Sequence, residues 1–196
     1  MALTAEEQRF ADEIQRITGM KLSPEKSYLI EHRLRELSAD GMSLANVVQQ
    51  LRQNTDPALV DRVLDKILTH ETSFFRDDYV FKTLTQKIVP EWMKRRGMDP
   101  MQPQDVRLKI WSCACSTGQE PYSIIMAIHE AFPFLTGNLQ LIATDITEET
   151  LAKARLATYT DFEMTRGITP AMRDRYFEKT SGGYKMRETY SKHVTM

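Results

Sequence analysis

The chain has 196 residues, enough for one sizeable domain or two small ones with an ample core. Its 41% hydrophobic and 27% charged content is ordinary for a globular protein, and a formal net charge of -1 provides no bulk field that would draw it to nucleic acid or an anionic membrane. No apolar run approaches the roughly 18 residues of a membrane span, and the N-terminus from Met1 to Glu7 is too polar and acidic for a signal peptide, so a cytoplasmic protein is expected.

The first predicted element is a helix opened by the capping box Thr4-Ala5-Glu6-Glu7, with Phe10, Ile14 and Ile17 on its buried stripe and Gly19 at its end. A second helix starts at Ser23-Pro24, buries Leu29, Ile30, Leu34 and Leu37, and stops at Gly41. Ser43 opens a third helix with Leu44, Val47, Val48 and Leu51. Asp56-Pro57 opens a fourth with Val60, Val63, Leu64, Ile67 and Leu68. Short amphipathic helices with short connections make a small bundle. Lys26, His32, Arg33 and Arg35 alternate with Glu25, Glu31 and Glu36 on the second helix. That pattern fits either a solvated face or a docking surface for an acidic partner helix.

Thr69 to Asp77 packs polar groups around Phe74 and Phe75 and leads into a helix through Tyr79, Phe81, Leu84 and Ile88, with a kink expected at Pro90. On pattern alone, Arg76 fits a surface ion pair with Asp77 or Glu71. Gly97 to Gln104, containing Pro100 and Pro103, reads as a linker.

Leu108 to Glu120 organises the remainder. Leu108 and Ile110 alternate with polar residues as in a strand, Ser112 to Gly118 are small, and Pro121 begins an apolar helical run. A strand, tight loop and helix of this kind aims backbone N–H groups and a helix dipole at a bound ligand, as in nucleotide pockets. Gly118 is its only glycine, so the G-x-G-x-x-G fingerprint is absent. A second strand, Leu139 to Thr144, ends on Asp145, where a carboxylate can grip a ribose or cap the next helix. Cys113 and Cys115 are too few for a metal site and poorly spaced for a disulfide, so they read as small reduced residues in a turn and no metal is expected.

Thr147 to Thr150 should cap a helix through Leu151, Ala154 and Leu156, and Thr158 to Gly167 reads as irregular. Thr169-Pro170 opens a short helix reaching Tyr176 and Phe177. Ser181-Gly182-Gly183 is a turn before Tyr184-Lys185-Met186, and His193 to Met196 looks like a strand cut off as it begins. Two parallel strands and a trailing piece fall short of a finished doubly wound sheet, so the chain reads as truncated at its C-terminal side.

Thr-His-Glu-Thr-Ser-Phe-Phe-Arg at 69 to 76, Trp-Ser-Cys-Ala-Cys-Ser-Thr-Gly-Gln-Glu-Pro-Tyr-Ser at 111 to 123 and Ala-Thr-Asp-Ile at 143 to 146 together resemble the CheR family of chemotaxis receptor glutamate methyltransferases. The resemblance implies an α/β protein: a small helical domain (residues 1–72), a connecting helix and linker (73–104), and the first part of a Rossmann-like class I S-adenosylmethionine-dependent methyltransferase domain (105–196) with the start of an inserted β-subdomain. It implies methyl esterification of glutamates on the cytoplasmic helices of chemoreceptors, giving S-adenosylhomocysteine.

Carried over by position, the resemblance places Thr72 and Arg76 beside the methionine portion of S-adenosylmethionine, with Arg76 also touching the substrate carboxylate. Ala114 lines the loop beneath the cofactor, Glu120 meets its amino-acid end and Asp145 holds its ribose. His70 stands where some members have Asn, and Arg33 and Arg35 lie on the helix that faces the receptor. A competing reading is a non-catalytic receptor-binding fragment, or one that dimerises through the strand edge left unpaired. A nucleic-acid methyltransferase is disfavoured by the net charge and the lack of a clustered basic stripe.

Overall fold

The computed structural model describes residues 3–22, 43–53, 56–68, 70–98 and 107–196, and the chain divides into two compact units, residues 1–69 and 70–196. In the first unit, α1 (Ala5–Thr18) begins with the predicted capping box. The Thr4 hydroxyl accepts from the Glu7 N–H while the Glu7 carboxylate accepts from the Thr4 N–H. Gly19, in the left-handed conformation, ends the helix. The Ser43 hydroxyl accepts from the Asn46 N–H at the start of α2 (Leu44–Gln53), and Asp56 caps α3 (Pro57–Ile67). Phe10, Ile14, Val47, Leu51, Leu59 and Val63 close the core. The predicted second helix, with Arg33 and Arg35, lies outside the described residues.

Within this core Glu13 is only 6% exposed. Its two oxygens accept from Arg16 Nε and Arg52 Nε, each at 2.7 Å, which ties α1 to α2. Burial pushes its carboxyl pKa up, but the two arginines more than offset this and hold it below its ordinary value.

The second unit opens with one helical rod in three parts: α4 (Asp78–Thr83), a π turn (Leu84–Ile88) and α5 (Val89–Arg95). The kink expected at Pro90 takes the form of this π turn, in which the Val89 N–H donates to the carbonyl of Leu84 five residues back. The wider turn gives room to the proline ring, which would otherwise press on the preceding turn's carbonyls.

Next come β1 (Leu108–Cys113), α6 (Gln119–Ala131), a 3-10 turn (Pro133–Asn138) and β2 (Leu139–Thr144). They are followed by α7 (Glu148–Leu156), β3 (Thr158–Tyr159), α8 (Asp161–Met164), α9 (Pro170–Tyr176), β4 (Phe177–Thr180), β5 (Gly183–Met186), α10 (Glu188–Ser191) and β6 (Val194–Thr195). The first sheet is parallel, in the order β1-β2-β6, with Leu108 opposite Leu139 and Cys113 opposite Thr144. Its inner face, with Leu108, Leu139, Leu141 and Ala143, packs against Ile125 and Ile128 of α6. The other face leaves Trp111 70% and Ile142 42% exposed. Among the described residues β1 pairs only with β2, so its far edge is open. No helix among them is long and apolar enough to cross a membrane.

The second sheet is small and antiparallel, in the order β3-β5-β4, and lies in the chain between α7 and β6. It is the inserted β-subdomain that the resemblance implied. Two local expectations need correction. Residues 158–167 are not irregular: β3 is followed by α8, whose capping box uses Thr160 and Glu163. Sequence periodicity misses a two-residue strand and a one-turn helix because neither completes a repeat. Thr147 is the N-cap of α7 but makes no side-chain cap bond. Its hydroxyl pairs instead with the Thr150 hydroxyl at 2.8 Å, and Asp145 Oδ1 receives the N–H groups of Ile146 and Thr147.

Candidate cofactor and substrate site

The loop from Cys113 to Gly118 joins β1 to α6 and is wound unusually tightly. Ala114, Ser116 and Gly118 all have positive φ, at 59°, 50° and 93°. A non-glycine residue there is uncommon and persists only where surrounding contacts impose it. Those contacts are visible. The Cys115 N–H donates to the Thr144 carbonyl at the end of β2, the Gly118 N–H donates to the Cys115 carbonyl, and the Tyr159 hydroxyl donates to the Thr117 carbonyl, all at 3.0 Å. A side chain at Gly118 would be both strained by its φ and crowded, because a Cβ would lie 3.0 Å from the Ala154 methyl and the Tyr159 hydroxyl. Burial and then the Asp145 charge push the Cys115 thiol up to about 11, so it stays protonated as a packed residue. Cys113 is exposed and both cysteines are free.

Two carboxylates flank this loop. Glu120, in the first turn of α6, is exposed, and its Oε1 accepts from the buried Ser112 hydroxyl at 2.7 Å. Its other oxygen bonds to none of the described residues. Asp145, at the end of β2, is half-buried, and its Oδ2 accepts from the Ser116 N–H at 2.7 Å. Asp145 therefore holds the loop and the start of α7 together, while a carboxylate's further lone pairs remain able to accept hydroxyl groups. Its cap role and its predicted ligand role are compatible.

The segment from His70 to Asp77 lies against the same loop and helix. The Ser116 hydroxyl donates to the His70 carbonyl at 3.1 Å, and the Phe75 N–H donates to the Ser123 hydroxyl on α6 at 3.0 Å. Phe74 is buried edge-on to Tyr159 and Phe177, whereas Phe75 meets Phe81 and packs against both that core and the one holding Phe74. Phe75 and Asp77 have φ of 50° and 58°, which puts Arg76 between two left-handed residues. Arg76 is exposed and its Nη1 donates to the Glu71 carbonyl at 2.7 Å. Neither predicted ion pair, with Asp77 or with the Glu71 carboxylate, forms; the latter pairs with Arg166 at 3.2 Å. His70 and Thr72 are half-buried in the segment, and Ala114 is exposed in the loop.

The loop that contains Ala114 is thus bonded to the His70 carbonyl and to Asp145 and is followed at once by Glu120, while Thr72 and Arg76 lie on the segment that His70 begins. Sequence reasoning passed over the serines that fasten them, Ser112, Ser116 and Ser123, together with Tyr159. Serines in the quoted motif were a usable signal, since buried hydroxyls are retained where they find partners. Tyr159, some 40 residues away in an unrecognised strand, offered none.

Residues 70–196 match the family described as "CheR methyltransferase, SAM binding domain". The chain belongs to the CheR methyltransferase family. The cofactor of this domain is accordingly S-adenosylmethionine, and the site fits it in kind. Carboxylates suit its ammonium and its ribose diol, and a loop of small residues admits close backbone approach. The chain is similar to Chemotaxis protein methyltransferase 1 of Pseudomonas aeruginosa, with 37% identity over 188 residues, covering 93% of this chain and 66% of the relative. Chemotaxis protein methyltransferase Cher2 of Pseudomonas putida is 35% identical over 176 residues, covering 87% of this chain and 62% of that protein. Chemotaxis protein methyltransferase of Vibrio parahaemolyticus is 32% identical over 190 residues, covering 93% and 66% respectively. This CheR-family chain spans a little under two thirds of the length of these relatives.

Proposed function

We propose that this protein methylates glutamate side chains of chemotaxis receptors, converting them to methyl esters with S-adenosylmethionine as the donor and S-adenosylhomocysteine as by-product. The observation that carries this reading is the fastening of Arg76 to the cofactor loop and helix. One segment, hydrogen-bonded through His70 to Ser116 of the loop and through Phe75 to Ser123 of α6, carries the exposed guanidinium of Arg76. The names of the similar chemotaxis methyltransferases support the receptor as the partner.

When bound, S-adenosylmethionine supplies an electrophilic methyl group on a sulfonium. A glutamate side chain, with a pKa near ~4.3, is ionised at neutral pH, so no general base is required of the protein. Its work is positioning, which can supply up to about 7–11 kcal/mol of a bimolecular barrier. Glu120 is assigned to the cofactor's ammonium and Asp145 to its ribose. Ala114, Thr72 and His70 line the loop and the methionine end. Arg76 orients the substrate carboxylate through its planar fork without fully neutralising it, since a tightly neutralised carboxylate is a poorer nucleophile. Arg33 and Arg35 are assigned to the receptor's acidic helices by the family pattern.

The test is methyl transfer by the longest native form of the protein to receptor cytoplasmic segments, read as methanol released by alkali. Base-labile label on glutamate supports the proposal, and base-stable label or none overturns it. Arg76→Ala should lower turnover by a hundredfold or more, and near-normal turnover would remove Arg76 from the role.

A second reading is pairing with another copy of the chain along a strand edge, favoured by the open edge of β1 beside the exposed Trp111. Light scattering over a range of concentrations tests it, and a concentration-independent monomer would exclude it.

A further inference from the structure

We propose that Ser123 is a positioning residue that sets Arg76 for methyl transfer; this rests on the carboxylate-orienting role given to Arg76 above. Ser123 is fully buried on the second turn of α6, at 0% exposure. Its hydroxyl donates to the Gln119 carbonyl at 2.7 Å, which commits its one proton and turns its lone pairs toward the Phe75 N–H, 3.0 Å away. Helix, hydroxyl and turn therefore form one chain of hydrogen bonds, from the Gln119 carbonyl beside Glu120 to the N–H of Phe75, the residue before Arg76.

The turn around Arg76 needs such an anchor. Phe75 and Asp77 both have positive φ; Asp tolerates this, but a bulky side chain such as Phe rarely adopts it. On the side before Asp77, the local backbone bond from the Arg76 N–H to the Ser73 carbonyl is long at 3.4 Å, while the Asp77 carbonyl is held by the Val80 N–H at 2.8 Å. Without the Ser123 hydroxyl, the Phe75 N–H loses its acceptor and the turn can relax toward ordinary φ values. That would swing the guanidinium of Arg76 while leaving the cofactor's own contacts on Glu120 and Asp145 in place. A misplacement of about an ångström in an orienting group is enough to cost rate heavily.

The experiment is a double-mutant cycle in the longest native form of the protein, measuring methyl transfer to a receptor segment, with S-adenosylhomocysteine affinity and melting temperature followed in parallel. Ser123→Ala should lower kcat about tenfold and leave cofactor affinity within about twofold, while Ser123→Thr, which keeps the hydroxyl, should recover most of the rate. In an Arg76→Ala background, Ser123→Ala should cause no further loss. The same tenfold loss in both backgrounds would mean general structural damage and overturn the proposal, as would wild-type turnover in Ser123→Ala or an equally poor Ser123→Thr. Unimpaired Arg76→Ala would instead bring down the Arg76 role itself, and Ser123's with it.

Discussion

Gly167 lies so close to Phe74 that a Cβ built on it would sit 1.9 Å from the Phe74 carbonyl oxygen, and its φ of 93° is itself suited to glycine. The loop after α8 thus lies against the backbone two residues before Arg76, and in the same region Arg166 pairs with Glu71. Gly167→Ala should destabilise the second unit by about 2–5 kcal/mol, combining the left-handed penalty with overpacking against main chain. Thermal melting checks this, and an unchanged melting temperature would show that the contact relaxes at no cost.

Glu120 is held by one oxygen on Ser112, and the proposed function assigns its other oxygen to the cofactor ammonium. Glu120→Gln keeps the shape and removes the charge. Affinity for S-adenosylhomocysteine should fall about 10–100-fold, the range expected when a charge-assisted hydrogen bond becomes a neutral one. Ser112→Ala should cost only a few-fold, because the carboxylate remains. Calorimetric titration of both variants decides the matter, and equal affinity of Glu120→Gln and wild type would move the ammonium site elsewhere.

In the helical unit, Glu13 has a folded pKa below its unfolded value, because its hydrogen bonds to Arg16 and Arg52 outweigh the cost of burial. The stability it confers is present in full above the unfolded carboxylate range, and it is lost as pH falls through the lowered folded value. At neutral pH Glu13→Gln should be less stable by about 1–3 kcal/mol, a moderate figure because both arginines are half-exposed. Its stability should also fall less steeply than wild type below about pH 5. Urea titrations at pH 7 and pH 3.5 measure both; parallel pH profiles would deny Glu13 this part.

The two cysteines should differ in reactivity. Cys113 is exposed, whereas Cys115 is buried with its thiol pushed up to about 11. Brief alkylation with iodoacetamide at pH 8 should modify Cys113 alone in the folded protein and both residues after denaturation. Peptide mass spectrometry reads the sites, and labelling of Cys115 in the native state would mean that the loop opens.

Much of this protein was legible in its sequence because the signals are local. The capping box at Thr4, Gly19, the Asp56-Pro57 start and the alternation in β1 and β2 each concern neighbours within one or two turns. The motifs from 69 to 76, 111 to 123 and 143 to 146 carried the family and, with it, S-adenosylmethionine, because each is a continuous run of residues. Tertiary structure alone decided how they are fastened. The Ser123 and Ser116 bonds to residues 70–75, the Tyr159 hydroxyl on Thr117 and the Gly167 contact with Phe74 span tens of residues and leave no period to read. The positive φ at Phe75 is likewise contrary to local preference, so only the packing that imposes it could reveal it.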